Sequence, residues 1–183
     1  MRLDQGRLSA TKLSLGPNDI AIQADASKLS DLDYLFAKLQ EEGFEYLDAL
    51  FVNVGLSHLE PFASVMEETF DRMVAVNLKG AFFTVQKALP FLRPGSSVIL
   101  DASVVARKGW PNCTVVSAMK SGLVSLAKTM SSELVTERGI RVNTLSPGPA
   151  DTIMFERIPE KGHGNSVKAM HEGNPSRRIA RPE

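Results

Sequence analysis

The sequence has few of the features that characterise secreted, membrane-spanning or nucleic-acid-binding proteins. Its 183 residues include one cysteine, Cys113, which excludes an internal disulfide. No apolar run approaches the roughly 20 residues of a membrane-spanning helix, and the N-terminal stretch has no continuous hydrophobic core of a secretory signal. Basic and acidic residues both number 21, so no positive excess attracts nucleic acid or anionic lipid. We therefore expect a cytoplasmic protein with small-molecule partners, no nucleic acid and no membrane.

A metal-binding pattern is also missing. The three histidines, His58, His163 and His171, do not cluster with carboxylates or with Cys113. The sequence therefore predicts no metal site, and exposed or packing roles are expected for these histidines.

Apolar runs of strand length alternate with longer stretches of helical period. Strands are predicted at 19–25, 48–55, 96–103 and 140–147, and helices at 67–92 and 114–137, with a further helix that starts near residue 29 and ends at Gly43. Pro94 and Gly95 are expected to stop the helix at 67–92 before the next strand, and Gly139 is expected to stop the helix at 114–137. This alternation is typical of strand-helix-strand units around a parallel sheet. The middle strands have near-continuous apolar centres, which favours helices on both faces of the sheet. We expect one domain, 1–183, of the α/β class.

Five sequence blocks lie in order along the chain: DALFVNVG (48–55), VNLKGAFF (76–83), SVILDAS (97–103), SAMKSGL (117–123) and IRVNTLSPGPADT (140–152). Together they resemble the short-chain dehydrogenase/reductase family, and the resemblance extends from about residue 19 to residue 183. It implies a Rossmann-like doubly wound parallel sheet. It also implies an NAD(P)-dependent oxidoreductase that acts on a small alcohol or carbonyl compound.

The same resemblance implies the site residues. Ser103, Lys120 and Asn77 match catalytic positions of the family, and the cofactor, NAD or NADP, would contact Asp25, Asn53, Gly55, Lys120, Pro147, Gly148 and Thr152. A hydride transfer to a carbonyl needs a proton donor and a group that holds the oxygen. In the family a tyrosine donates the proton, the lysine ammonium favours its phenolate, and the serine donates a hydrogen bond to the oxygen.

Simpler roles remain open for several of these residues. Asp25 is also in a position typical of an aspartate that forms a turn or cap. Ser103 and Asn77 are equally compatible with ordinary polar groups whose hydrogen bonds are satisfied inside the fold.

The sequence departs from the family at the tyrosine, because this position, four residues before Lys120, holds Val116. Valine cannot transfer a proton, and neither nearby candidate is a convincing substitute. Ser117 is turned about 100° away from position 116 around the helix, and Cys113 lies nearly one turn earlier. We expect Val116 to pack against the helix face, dehydrogenase activity to be negligible, and cofactor binding to be weak or lost.

A second departure concerns the two ends. No strand followed by a glycine-rich turn and a helix opens the sequence, so the fold is expected to be incomplete, with the first strand-helix-strand unit missing. Residues 153–183 are expected to form a mobile lid or tail. Loss of the first strand would expose sheet edges and lower stability.

Three functional hypotheses remain. The first is an NAD(P)-dependent oxidoreductase that is inactive or severely impaired, and the second is a non-catalytic, truncated relative that binds a partner or a nucleotide weakly. The third is a structural subunit that assembles with a complete paralogue. A homo-oligomer through helices 67–92 and 114–137 is expected from the family, although these helices are equally suited to covering only the sheet of their own chain.

Overall fold

The computed structural model describes residues 8, 12–13, 15–150, 172–174 and 176–181. Three parallel strands form its sheet in the order β1 (Leu47–Val52), β2 (Leu92–Asp101) and β3 (Arg141–Leu145). The helices are α1 (Leu29–Glu41), α2 (Glu67–Met73), α3 (Ala81–Ala88) and α4 (Thr114–Arg138). Helices form the crossover connections between the parallel strands, because α2 and α3 lie between β1 and β2, and α4 lies between β2 and β3. The α/β class and the Rossmann-like parallel sheet predicted from the sequence are therefore confirmed.

Helices α1, α3 and α4 pack on one face of the sheet. The paired residues Leu50, Val98 and Val142 point toward this face, where Val98 and Val142 are buried in the main apolar core. Successive strand residues point to opposite faces, and the neighbouring pair Phe51 and Ile99 is 54% and 36% exposed. Among the described residues these helices therefore lie on one side of the sheet, and the expected helical cover of the opposite face stays a prediction.

The helix predicted at 67–92 is a continuous helical run that ends earlier. Between α2 and α3 lies a π-helical segment, Val74–Gly80, and the run ends at Ala88. Strand β2 then begins at Leu92, although Pro94 and Gly95 were predicted to precede the strand. The pairing with β1 is irregular here, because Leu47 pairs with Leu92 while Ala49 pairs with Ser97. Strand β2 therefore includes Pro94 and Gly95 as a bulge.

The strand predicted at 19–25 is not a strand in the structure. A strand needs a neighbour that completes its backbone hydrogen bonds, and the sheet of the described residues contains only β1, β2 and β3. Asp25 N instead donates to Asp31 Oδ2 at 2.9 Å, and Ile20 is 37% exposed. This segment lies outside the sheet, next to the start of α1.

The helix predicted at 114–137 is confirmed within one residue as α4. It ends where predicted because Gly139 adopts a positive φ of 65°, a left-handed conformation that glycine allows without strain. Within the part of the chain that the structure describes, no helix is both long enough and apolar enough to cross a lipid bilayer.

Candidate functional site

The site residues predicted from the sequence lie where the three parallel strands end. Residues 53–56 follow β1, residues 102–103 follow β2, and residues 146–148 follow β3. Ala102 N donates to Leu145 O at 2.7 Å, and Val104 N donates to Pro147 O at 2.9 Å, so the ends of β2 and β3 stay joined beyond the strands. In open α/β sheets this carboxyl edge is the usual place for a ligand.

Asn77 fixes the loop after β1. It lies in the π-helical segment and is only 1% exposed. Its Oδ1 accepts from Leu56 N at 2.6 Å, and its Nδ2 donates to Leu56 O at 2.9 Å. Both ends of the amide are therefore satisfied by one residue of the loop, which agrees with the alternative of a structural role. Short π-helical segments are often found at functional sites.

Gly55 brings the loop close to two other site residues. A Cβ atom at this position would lie 3.2 Å from Asn77 Oδ1 and 3.9 Å from Lys120 Nζ. The first distance is too short for comfortable packing, so a side chain here would disturb the Asn77 contact. Gly55, Asn77 and Lys120, which the sequence spreads over more than sixty positions, therefore form one cluster, and we call it the polar corner.

Lys120 has a partner that the sequence reasoning missed. Its ammonium donates to the backbone carbonyl of Asp101 and to Asp101 Oδ2, the latter at 3.3 Å. The side chains of Lys120 and Asp101 are 11% and 18% exposed. An acidic residue at the end of a strand, two positions before the serine, was the sequence signal that could have identified this partner. Asp101 is therefore the fourth member of the polar corner.

Ser103 begins a short 3₁₀ turn, Val104–Ala106, in an extended conformation. Its Oγ accepts weakly from Val105 N at 3.4 Å, and within the described part of the chain its hydroxyl hydrogen has no acceptor. The turn is held against α4, because Ser121 Oγ donates to Ala106 O at 3.0 Å. Ser103 thus stays close to α4, and its hydroxyl can still donate to a ligand.

Val116 lies in a separate apolar cluster, one turn before Lys120 on α4. The buried members of this cluster, which we call the apolar corner, are Met73, Cys113, Val115 and Val116. Leu59, Val65, Val105 and Trp110 pack around them. Val116 is 7% exposed, as expected for a residue that packs the helix face. Burial raises the pKa of the Cys113 thiol, so Cys113 is a poor proton donor at neutral pH.

Asp25 lies in a turn. Its Oδ1 accepts from Ser27 N at 3.0 Å and from Ser27 Oγ at 2.7 Å, and the Ser27 hydroxyl bond is the main cause that lowers the pKa of Asp25. This geometry matches the alternative of a turn former. The turn packs on Gly80, where a Cβ atom would lie 2.7 Å from Ala26 O.

Four cofactor candidates remain: Asn53, Pro147, Gly148 and Thr152. Asn53, Pro147 and Gly148 are exposed at the carboxyl edge of the sheet. Thr152 and most of the lid predicted at 153–183 lie outside the described residues. At the far end of that region, Gly173 O accepts from Lys108 Nζ at 3.4 Å, so this glycine lies near the loop that precedes α4. Among the described residues, no group of three or more potential ligands is arranged to hold a metal ion.

Known proteins resemble this chain over most of its length. A family model described as enoyl-(acyl carrier protein) reductase matches residues 2–183. The oxidoreductase asL5 of Sarocladium schorii is 35% identical over 182 residues, which cover 98% of this chain and 71% of that protein. The 3-oxoacyl-(acyl-carrier-protein) reductase FabG of Thermotoga maritima is 33% identical over 139 residues, or 75% of this chain and 54% of that protein.

Solved structures also resemble this chain over most of its length. A short-chain dehydrogenase/reductase from Brucella melitensis, titled glucose/ribitol dehydrogenase, has a TM-score of 0.86 and 32% identity, and the match covers 98% of this chain and 71% of that one. A dehydrogenase/reductase from Sinorhizobium meliloti has a TM-score of 0.82 and 27% identity, over 97% of this chain and 68% of that one. This chain therefore spans between about half and about seven tenths of these four relatives.

Proposed function

Because this chain belongs to the short-chain dehydrogenase/reductase family of oxidoreductases, we propose that it retains part of an NAD(P) site but has negligible activity on alcohols and carbonyl compounds. The observation that carries this proposal is the apolar corner, where Val116 occupies the position of the proton donor and packs with Met73, Cys113 and Val115. The family generally uses NAD(P) with small-molecule substrates. Our proposal differs from this general pattern in that this chain does not turn over its substrate.

The residues of the polar corner suit the ribose end of a nicotinamide dinucleotide. A Cβ atom at position 55 would lie 3.9 Å from Lys120 Nζ. Because Gly55 has no side chain, a ligand can approach Lys120 Nζ from this side. Ammonium groups donate readily to hydroxyl oxygens. We assign Lys120 to hold the ribose, Asn77 to fix the loop at Leu56, and Pro147 and Gly148 to border the nicotinamide.

For catalysis, this site would need a group that donates a proton to the substrate. Bound NADPH or NADH would supply a hydride, and a carbonyl oxygen must receive a proton as its carbon receives that hydride. Ser103 can donate a hydrogen bond to the oxygen, which stabilises developing negative charge. The isopropyl group of Val116 holds no transferable proton, and the raised pKa of Cys113 makes its thiol a poor source. The site can therefore orient a carbonyl compound without completing its reduction.

The test compares three proteins: the wild type, Val116→Tyr and the matched control Val116→Phe, which adds the same ring without the hydroxyl. We expect a saturable thermal shift with NADPH or NADH, no nucleotide oxidation by the wild type or by Val116→Phe, and measurable oxidation by Val116→Tyr with a panel of small ketones and quinones. The proposal is wrong if the wild type turns over substrate and Lys120→Ala abolishes that turnover.

A second role, as a non-catalytic subunit, is favoured by apolar side chains on the helices predicted to form an oligomer. Phe70 of α2 is 44% exposed and Val135 of α4 is 46% exposed. Such residues are suited to burial against a second copy of the chain. Sedimentation velocity of the wild type and of Phe70→Glu tests this role, which predicts a concentration-dependent dimer that the glutamate dissociates. Two monomeric proteins at all concentrations would exclude it.

A further inference from the structure

The ammonium of Lys120 is held by the strand next to it. Two hydrogen bonds link Nζ to Asp101, one to its carbonyl and one to Oδ2 at 3.3 Å. An ammonium group has three N–H donors and no acceptor, so Asp101 uses two of the three. The strand end that carries Asp101 is itself fixed, since Asp101 pairs with Leu145 in the ladder.

Burial distinguishes this pair from two ion pairs on the surface of the protein. The side chains of Lys87 and Asp33 are 22% and 65% exposed, and those of Arg93 and Asp48 are 49% and 74% exposed. Exposed pairs of this kind contribute little to stability. The corresponding values for Lys120 and Asp101 are 11% and 18%, and a charge this far from water is costly unless a partner of opposite charge is close.

We propose that Asp101 is the positioning residue of Lys120, and that it takes the place of the missing tyrosine as the group with which the ammonium pairs. The carboxylate neutralises the buried charge, and the carbonyl fixes its position at the end of β2. Without a phenol at position 116, the ammonium would otherwise have no anionic partner among the contacts described for it.

A consequence follows for the nucleotide, and it rests on the proposed function. A ribose that approaches Lys120 finds one N–H free instead of three, and it must also approach a carboxylate that repels the phosphates of the dinucleotide. Asp101 therefore lowers the affinity of the site for NADH and NADPH while it holds Lys120 in position.

The first experiment measures the reactivity of Lys120 without any nucleotide. An amine-acetylating reagent is applied at neutral pH, and acetylation of Lys120 is quantified by mass spectrometry relative to Lys128, an exposed lysine on the same helix. We expect Asp101→Asn to raise the Lys120/Lys128 ratio by on the order of tenfold, because a charge-assisted hydrogen bond is lost. Asp33→Asn, which breaks the exposed pair with Lys87, is the matched control and should leave the ratio unchanged.

Asp101→Glu separates positioning from a merely structural role. It keeps the carboxylate, so it should restore most of the protection of Lys120, whereas general loosening of the fold would raise the labelling of Lys120 in both variants. Equal ratios in the wild type and Asp101→Asn would overturn the proposal. If Asp101→Asn does not fold, Asp101→Glu alone decides: a low ratio supports positioning, and a ratio near one contradicts it.

The second experiment titrates the same proteins with NADPH and NADH. Asp101→Asn should bind several-fold more tightly than the wild type, and this gain should vanish in the double variant Asp101→Asn/Lys120→Met. Weaker or unchanged binding by Asp101→Asn would contradict the effect on affinity. Absence of saturable binding in every variant would refute the proposed cofactor site, while the acetylation ratios would still decide whether Asp101 positions Lys120.

Discussion

Val116 and Lys120 lie one turn apart on α4, yet the two positions have opposite surroundings. Val116 belongs to the apolar corner with Met73 and Cys113, whereas Lys120 belongs to the polar corner, where Asp101 accepts its hydrogen bonds. In the apolar corner each contact is weak and non-directional, so one residue can replace another of similar volume at modest cost. In the polar corner each buried group depends on one or two partners. Single substitutions should therefore be more damaging there.

The largest effect is expected for Asn77→Ala. The substitution removes both hydrogen bonds to Leu56 and leaves its N–H and carbonyl without those partners. We expect the free energy of unfolding to fall by about 3 kcal/mol, measured by urea denaturation. Asn53→Ala, at an exposed asparagine in the same loop, is the control and should change stability by less than about 0.5 kcal/mol. Equal effects of the two substitutions would show that Asn77 does not hold the loop.

Gly80→Ala should have a smaller effect. The added Cβ would lie 2.7 Å from Ala26 O, so the turn at 25–27 must shift away from the π-helical segment. Alanine normally stabilises a helix relative to glycine by about 1 kcal/mol, but here we expect a net loss of about 2 kcal/mol. Gly109→Ala, where no atom lies within 4 Å of the added Cβ, is the control. A stabilising Gly80→Ala would mean that the turn does not pack tightly.

Structural features that depend on a single segment of the sequence were predicted correctly. The spacing of apolar residues located α4, and Gly139 located its end. The family resemblance of the five sequence blocks also implied that Asn77, Gly55 and Lys120 belong to one site, and the structure places Gly55 close to the other two. The helix follows from local periodicity, and the proximity of these residues follows from the chain connectivity that brings the carboxyl ends of parallel strands to one edge.

Features that depend on a distant partner were missed. Segment 19–25 has the composition of a strand, but no strand of the described sheet pairs with it. The pairing of Lys120 with Asp101 joins residues nineteen positions apart across a helix and a strand, and no periodic pattern records such a contact. The π-helical segment around Asn77 was also missed. A segment of seven residues is too short for the spacing of its apolar residues to distinguish a π-helix from an α-helix.

The smallest effect concerns pH and the apolar corner. Burial raises the pKa of Cys113 above the ordinary value of 9.0, so the folded protein holds the thiol proton more tightly than the unfolded chain does. Its contribution to stability is complete below the unfolded pKa and is lost as pH rises through the folded pKa.

The wild type should therefore lose stability above pH 9 relative to Cys113→Ala, by at most about 1.4 kcal/mol per pH unit. The measurement is urea denaturation of both proteins between neutral and alkaline pH, and the difference between the two proteins isolates the contribution of Cys113 from those of all other groups. Parallel curves would mean that the thiol reaches solvent and that the apolar corner is open. A divergence that begins only at alkaline pH would support a closed apolar corner, in which a neutral thiol and an isopropyl group leave no acid to serve the substrate.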